Sequence, residues 1–238
     1  ALGIVSFTNE LWTDKRMYAK DTNPSRDERK QFRDLLQFED VFVPYHEVDH
    51  PTYGNIMVGG TKKYSSRVTP PWMLEEGCHR NFAFTMYHAD EMPLLKWGSL
   101  DVKKMGDQLW KITIEVANDK LIPSRTAMAA NHHIGLPDVL SCIPKSGSKV
   151  AASGTVRSLL PTAKLSANET EHPQRIIVNR GIGSMDSTLF QFIVSGWGEV
   201  TFKYEAEKGG TLHRTIKLQE QFEPKPIEHK RAIPVPAT

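Results

Sequence analysis

The five residues His46-Glu47-Val48-Asp49-His50 bring two imidazoles and two carboxylates together in the order His-Glu-x-x-His. This pattern can hold a zinc ion when a helix places both histidines on one face, with the glutamate beside the metal-bound water as general base. Here, however, the motif lies between Pro44 and Pro51, and a proline favours extended geometry in the residue before it. The preceding residues 41–43 also read as strand. We therefore predict a surface loop rich in titratable groups, within which Asp49 and His50 can form a local acid–base pair.

The other reactive side chains lack the neighbours that catalysis needs. His132 and His133 are adjacent in a predicted strand, where they face opposite sides and cannot easily ligate one metal ion. Cys78 and Cys142 lie 64 positions apart without metal-type spacing, so they form either one disulfide or remain buried thiols. Ser195 lacks the first glycine and the strand-to-helix turn of a nucleophile elbow.

Composition excludes several classes of protein. The chain has 238 residues, 39% of them hydrophobic, and its 30 basic and 28 acidic residues leave a net charge of +2. We expect no nucleic-acid partner, because no basic cluster is interleaved with aromatic residues. We expect no membrane span, because no apolar run approaches about 20 residues. The N-terminus has neither an initiator Met nor a signal-type segment and begins directly in a strand-like run, so we expect the chain to begin inside a fold.

The first third of the sequence predicts alternating strands and helices. Residues 3–8 read as a strand, and the capping box from Ser25 to Glu28 predicts a helix that runs to about Phe38. The expected apolar face of this helix comprises Phe32, Leu35 and Leu36. A short strand is predicted within residues 54–60, with Ile56 and Val58 on one face. A second helix follows, with an apolar stripe formed by Leu74, Cys78, Phe82 and Met86. Thr69 is the expected N-cap of that second helix, and its stripe of four residues should be core.

From Trp97 onward the sequence period changes to that of antiparallel strands. Residues 109–116 alternate, with Trp110, Ile112, Ile114 and Val116 inward. Further strands are predicted at residues 125–130, 139–143, 175–178, 188–194, 200–204 and 212–218, and the last two should form a hairpin around Lys208-Gly209-Gly210. About seven short strands predict a β-sandwich. The proline-containing residues 220–238 should form an extended tail.

The run Ser6-Phe7-Thr8-Asn9-Glu10-Leu11 resembles the end of a strand in zinc-dependent metallocarboxypeptidases, where a [ST]-F-T-x-E-L segment carries the catalytic glutamate. The residues 67–72 and the helix after them are similar to the C-terminal helix that closes that fold. Residues 13–66 would then be an insertion between this strand and helix. The region from Trp97 resembles the β-sandwich appended to larger bacterial members of the family.

This resemblance implies an α+β chain: the C-terminal part of an α/β carboxypeptidase-like domain (residues 1–95), an antiparallel β-sandwich (96–219) and the tail (220–238). It implies that Glu10 deprotonates a zinc-bound water and passes the proton to the leaving amine. The zinc ligands of the parent enzyme are expected upstream of Ala1, so this chain alone should hold no zinc and be inactive. The implied partners are a peptide substrate and either the missing N-terminal half or another protomer. The resemblance also favours an exported protein, periplasmic or extracellular.

A non-enzymatic alternative assigns the function to the sandwich. In that hypothesis residues 1–95 only support a binding module whose loops recognise glycan or protein. Its main support would be an exposed aromatic platform that includes Trp110 and Trp197.

Overall fold

A computed structural model describes residues 3–9, 23–38, 40–63, 65, 69–145, 147–160, 163–168 and 171–219. The chain divides into two compact units, one of residues 6–87 and one of residues 1–5 together with 88–238. The predicted tail, residues 220–238, lies outside the described residues.

The unit of residues 6–87 begins its regular structure at the predicted capping box. The Glu28 amide donates to Ser25 Oγ, and the Ser25 amide donates to Glu28 Oε2, so the first helix, α1 (Arg26–Gln31), is capped reciprocally. A turn of π-helix, Phe32–Leu36, continues α1. The extent of this helical segment is confirmed. Of its expected apolar face only Phe32 is buried, while Leu35 and Leu36 are exposed.

A two-stranded antiparallel hairpin follows, formed by β1 (Phe42–His50) and β2 (Gly54–Thr61). The predicted strand at residues 54–60 is confirmed, and Ile56 and Val58 lie on one face because they pair with Val48 and His46. Most side chains on both faces of this hairpin are exposed within the described residues.

The second helix begins with a 3-10 turn, Pro71–Met73, and continues as α2 (Leu74–Asp90). The predicted helix is confirmed, but its N-cap is Pro70 rather than Thr69. The prediction of a buried stripe is wrong: Leu74, Phe82 and Met86 are all more than half exposed, and Cys78 is exposed as well. Helical periodicity identifies an apolar face, but it does not supply the surface that buries it.

The strand predicted at residues 3–8 is also wrong. Residues 4–9 have no regular secondary structure, and no described strand pairs with them. Gly3 has a φ of +68°, in the left-handed region that a strand does not use. Its carbonyl oxygen accepts from Thr126 Oγ1 at 2.8 Å and from Lys208 Nζ at 3.2 Å, which replaces strand pairing with side-chain hydrogen bonds.

The other unit contains nine strands and one short helix among its described residues. These are β3 (Leu95–Gly106), β4 (Leu109–Asn118), α3 (Ala127–Asn131), β5 (Asp138–Pro144), β6 (Lys149–Val156), β7 (Ser166–Ala167), β8 (Arg175–Val178), β9 (Ser187–Ser195), β10 (Gly198–Ala206) and β11 (Gly210–Leu218). They form two antiparallel sheets, ordered β3-β4-β9-β6-β7 and β11-β10-β5-β8. The prediction of an antiparallel β-sandwich is confirmed.

Aromatic residues from both sheets meet in the core of this sandwich. Phe190 of β9 lies 6.3 Å from Tyr204 of β10, and Phe192 lies 5.5 Å from Phe202, measured between ring centroids. All four side chains are fully buried. The alternation predicted for β4 is correct, since its inward residues Trp110, Ile112, Ile114 and Val116 join the same cluster.

The structure corrects the strand list in two respects. Residues 125–130, predicted as a strand, form the start of α3 instead: Thr126 Oγ1 accepts from the Ala129 amide as an N-cap, and the alanines that follow favour helix. Three strands, β3, β6 and β7, were not predicted. Sequence predicted the remaining strands and the β10–β11 hairpin correctly to within a few residues.

No helix in the described ranges combines the length and apolarity needed to cross a membrane.

The aromatic core leads to a test of stability. Phe192→Ala should lower the free energy of unfolding by about 3–5 kcal/mol, because it leaves a cavity beside Phe202. Urea unfolding followed by tryptophan fluorescence, to which buried Trp110 contributes, measures this change. The control Leu136→Ala removes an exposed side chain of the same unit and should change stability by less than about 0.5 kcal/mol. Similar losses in both variants would show that the core does not carry the stability.

Candidate functional site

Glu10, the predicted catalytic residue, lies outside the described residues. The run that leads to it is described as far as Asn9, and residues 6–9 are exposed. Phe7 of this run packs edge-to-face on Phe84 of α2, with 5.2 Å between the ring centroids. The segment before Glu10 is therefore anchored on the helix predicted to follow it in the fold.

The His46-to-His50 motif lies in strand β1, so the predicted loop is wrong and a zinc-holding helix is excluded. In a strand the two histidines are separated by about 13 Å, and Glu47 points to the opposite face. Each imidazole is near local backbone: His46 Nδ1 lies 3.1 Å from the Pro44 carbonyl oxygen, and the Thr52 amide donates to His50 Nδ1. The extended geometry expected from Pro51 extends through the whole motif.

The isolated histidines and cysteines also do not form a site. His132 and His133 follow α3 rather than lying in a strand, and His133 has a φ of +54°. Both cysteines are free, which decides against the disulfide. Cys78 is exposed, whereas burial in the core raises the pKa of the Cys142 thiol to about 12. Cys142 is therefore a core thiol that stays protonated near neutral pH.

The two tryptophans of the alternative hypothesis belong to the fold. Trp110 is buried, and its indole Nε1 donates to the Gly196 carbonyl oxygen at 3.0 Å. Trp197 packs edge-to-face on Trp110 at 5.2 Å between centroids, and Lys104 Nζ lies 5.2 Å from the Trp197 ring centroid. A flat glycan platform built on these two rings has lost its main support.

The structure brings together a buried polar cluster that the sequence analysis missed. Asp138 Oδ2 accepts from Ser124 Oγ at 2.5 Å and from the Tyr204 hydroxyl at 2.9 Å. Ser124 Oγ also accepts from the Ile182 amide at 2.7 Å. Burial raises the pKa of Asp138, and these hydrogen bonds act against that rise. Asp138 Oδ1 and Arg125 Nε have no hydrogen-bond partner within the described ranges.

A second cluster lies on the outer face of the five-stranded sheet. The Glu115 carboxylate accepts from the Ser187 hydroxyl at 2.6 Å, the Ser99 amide at 2.9 Å and the Ser99 hydroxyl at 2.8 Å. The hydrogen bond from Ser187, followed by that from the Ser99 amide, lowers the pKa of Glu115 despite partial burial. Glu115 lines an open depression of about 710 Å³, together with the ion pair of Lys96 and Asp119.

Comparison with known proteins identifies the region that carries both clusters. Residues 94–217 match the model of a protein family described as a domain of unknown function (DUF8731). This match covers more than half of the 238-residue chain. The chain belongs to the DUF8731 family. No curated protein and no solved structure matched the chain.

The DUF8731 domain begins one residue before β3 and ends within β11, so it comprises the sandwich. Its two carboxylate clusters differ in accessibility: Asp138 is fully buried, whereas Glu115 borders solvent. Glu115 is the accessible one and can meet a ligand, but its lowered pKa makes it an acceptor rather than a proton donor near neutral pH. No three His, Cys, Asp or Glu residues in the described part of the chain are grouped so that they could hold a metal ion.

Sequence reasoning could find Glu115 only as an outward residue of β4. Its serine partners are 16 and 72 positions away, and no local pattern joins them. Asp138 directly precedes a predicted strand, but its partner Tyr204 is 66 positions away. No local sequence pattern therefore indicated that Asp138 belongs to a cluster.

Asp138→Asn should remove one component of the pH dependence of the DUF8731 domain. The pKa of Asp138 is raised above its ordinary value of 3.8 on folding, so the folded state holds this proton more tightly. Its contribution to stability is complete below pH 3.8 and is lost as the pH rises through the folded pKa. Urea unfolding at a series of pH values should show this loss in the wild type but not in Asp138→Asn. The exposed-residue control Asp107→Asn should keep it; a loss that persists in Asp138→Asn would contradict the assignment.

Glu115 should act in the opposite direction. Because folding lowers its pKa below the ordinary 4.5, its contribution is present above pH 4.5 and is lost as the pH falls through the folded pKa. Ser187→Ala removes the first cause of the shift, so the variant should lose less stability on acidification than the wild type does. Ser184→Ala, an exposed serine three positions away, serves as the control. Acid profiles that are identical for Ser187→Ala and the wild type would refute this role of Ser187.

Proposed function

We propose that this chain is the C-terminal portion of a zinc metallocarboxypeptidase of the bacterial type with an appended β-sandwich, an enzyme that removes C-terminal residues from peptides. In this proposal Glu10 is the general base of the parent enzyme. The insertion and α2 complete its catalytic domain, and the DUF8731 sandwich is the appended domain.

The observation that carries the proposal is the contact between Phe7 and Phe84. The resemblance rests on two separated segments, the run around Glu10 and the helix that closes the catalytic fold. Phe7 belongs to the first segment and Phe84 to the second, and their rings lie 5.2 Å apart. An edge-to-face pair of this kind contributes about 0.5–1.5 kcal/mol beyond simple burial. The contact supports the pairing of the two segments that the family resemblance requires.

Exposed apolar side chains support the second part of the proposal, a missing partner surface. Leu74, Phe82 and Met86 lie along one face of α2, and each is more than half exposed. A helix with an apolar stripe is stabilised mainly by burying it against another element. We assign this role to the N-terminal half of the catalytic domain, or else to another protomer.

The only chemical step assigned to this chain is the proton transfer carried out by Glu10. The Glu10 carboxylate takes a proton from the attacking water and returns it to the nitrogen of the leaving amine, so one residue serves as base and then as acid. The described residues contain no grouping that fits a zinc site. The family resemblance places the zinc ligands of the parent enzyme upstream of this chain, and the ion would supply Lewis-acid activation there. Export to the periplasm or the extracellular space belongs to the same proposal.

The test uses a longer product of the open reading frame that includes residues upstream of Ala1, purified with zinc and assayed for release of C-terminal residues from peptides. Glu10→Gln should lower kcat at least about 100-fold, the range typical of a lost general base. Glu75→Gln, an exposed carboxylate in the first turn of α2, is the matched control and should leave kcat unchanged. Zinc content measured in each variant separates loss of the base from loss of the metal.

The 238-residue chain alone should neither bind stoichiometric zinc nor cleave peptides. Zinc binding together with Glu10-dependent cleavage by this chain would overturn the assignment of the ligands to an upstream segment. A longer protein that holds zinc but cleaves no peptide, or retains full activity as Glu10→Gln, would overturn the proposed function itself.

A further inference from the structure

A cavity of about 830 Å³ opens at one corner of the sandwich, where three neighbouring strands end. It is lined by the last residues of β6, the first residues of β9 and the segment that leads into β7. Two basic side chains, Arg157 and Lys164, contribute to the lining, and no carboxylate is among the lining residues that the structure describes. This part of the DUF8731 domain is independent of the proposed carboxypeptidase chemistry.

The two basic residues of the lining lie at the same end of the β6–β7 pairing. β6 and β7 are antiparallel, with Gly154 paired to Ala167 and Thr155 paired to Ser166. Arg157 follows Thr155 by two positions and Lys164 precedes Ser166 by two, so both residues lie just beyond the same end of this strand pairing. Both also line the cavity, which therefore has two cationic side chains at one end of the β6–β7 pairing.

Neither of these two basic residues forms an ion pair within the described residues, whereas several other lysines of the sandwich do. Lys103, Lys145 and Lys203 each form a salt bridge with a nearby carboxylate. Arg157 and Lys164 are both exposed and form no salt bridge with any carboxylate in the described ranges. Their charge is left for a group from outside the described chain.

Hydroxyl groups complete the polar lining. Thr155 and Ser166 form the last pair of β6 and β7, and Thr188 enters from β9. Their hydroxyls are engaged in no hydrogen bond within the described residues, so each is free to donate. Ser187 also lines the cavity, but its hydroxyl already donates a hydrogen bond to Glu115 and is not counted among the free donors.

We propose that this cavity is a binding site for an oxyanion, a phosphate, sulfate or carboxylate group, held between Arg157 and Lys164 and hydrogen-bonded by the hydroxyls of Thr155, Ser166 and Thr188. A guanidinium and an ammonium together suit such groups, since Arg offers a planar fork and Lys a point charge. A volume of about 830 Å³ exceeds the need of the anion alone and lies in the range of sites for small molecules. The ligand is therefore the anionic group of a larger molecule, or a free anion that uses part of the space.

The test is isothermal titration of the 238-residue chain with inorganic phosphate, sulfate, citrate and glucose 6-phosphate, in buffer free of multivalent anions and at constant ionic strength set with sodium chloride. We expect saturable binding of at least one probe. Arg157→Gln and Lys164→Gln should each weaken it at least about tenfold, as expected for a lost charged hydrogen bond. Lys217→Gln, an exposed lysine on β11 in the other sheet, is the matched control and should bind as the wild type does. Tighter binding of glucose 6-phosphate than of phosphate, with no binding of glucose titrated as a neutral control, would assign the anion to a larger ligand. Equal binding of the two phosphates would assign a free anion.

Thermal unfolding supplies a second readout that a purely structural role would not produce. Without anion, Arg157→Gln should have about the same Tm as the wild type, because Arg157 is exposed and forms no ion pair within the described residues. Phosphate or the tightest probe should raise the Tm of the wild type and of Lys217→Gln, but not that of Arg157→Gln. Absence of saturable binding by all four probes, or equal binding by all variants, would overturn the proposal. A clearly lower Tm of Arg157→Gln without anion would also overturn the proposal, because it would give Arg157 a structural role in place of a binding role.

Discussion

The packing of aromatic rings between two sheets is the interaction on which the rest of the sandwich depends. Phe190 and Phe192 from one sheet meet Tyr204 and Phe202 from the other, so each sheet buries its face only while the second is in place. Tyr204 also brings a hydroxyl group into the core. A buried hydroxyl needs a partner, and Asp138 supplies it. The Asp138 carboxylate also accepts a hydrogen bond from the Ser124 hydroxyl, whose oxygen accepts one from the Ile182 amide. A hydrophobic constraint thus leads to a polar network.

The two carboxylate clusters show how position in one sandwich sets opposite electrostatic behaviour. Asp138 has two hydroxyl donors but no contact with solvent, so the cost of burying its charge dominates. Glu115 has three donors and borders an open depression, so hydrogen bonding dominates. The cavity with Arg157 and Lys164 lies at the next corner of the same sheet, with Ser187 common to both linings. The outer edge of this sheet therefore changes from acidic to basic over a few residues.

The sequence predicted the sandwich well where each strand alternates and is bounded by turn residues, as in β4, β9 and β10. It failed at β6, whose alanine, serine and glycine have weak strand preference and pair only because β9 lies beside them. The predictions of a strand at residues 3–8 and of a buried stripe on α2 failed for a related reason. An apolar pattern indicates that side chains favour burial, but only the tertiary structure provides the surface that buries them. The site residues were hardest to predict, because Asp138, Glu115, Arg157 and Lys164 meet their neighbours only through the tertiary structure, across many positions of sequence.

The two free cysteines have a consequence for handling the protein. Cys142 is enclosed by the core, whereas Cys78 projects from the exposed side of α2. A bridge between them would require the sandwich to open, so air oxidation has only one accessible thiol with which to react. Disulfides that form during storage must then join two molecules, and a reducing gel would return them to a single band. In an oxidising compartment the same thiol would carry a mixed disulfide or link the chain to a second protein.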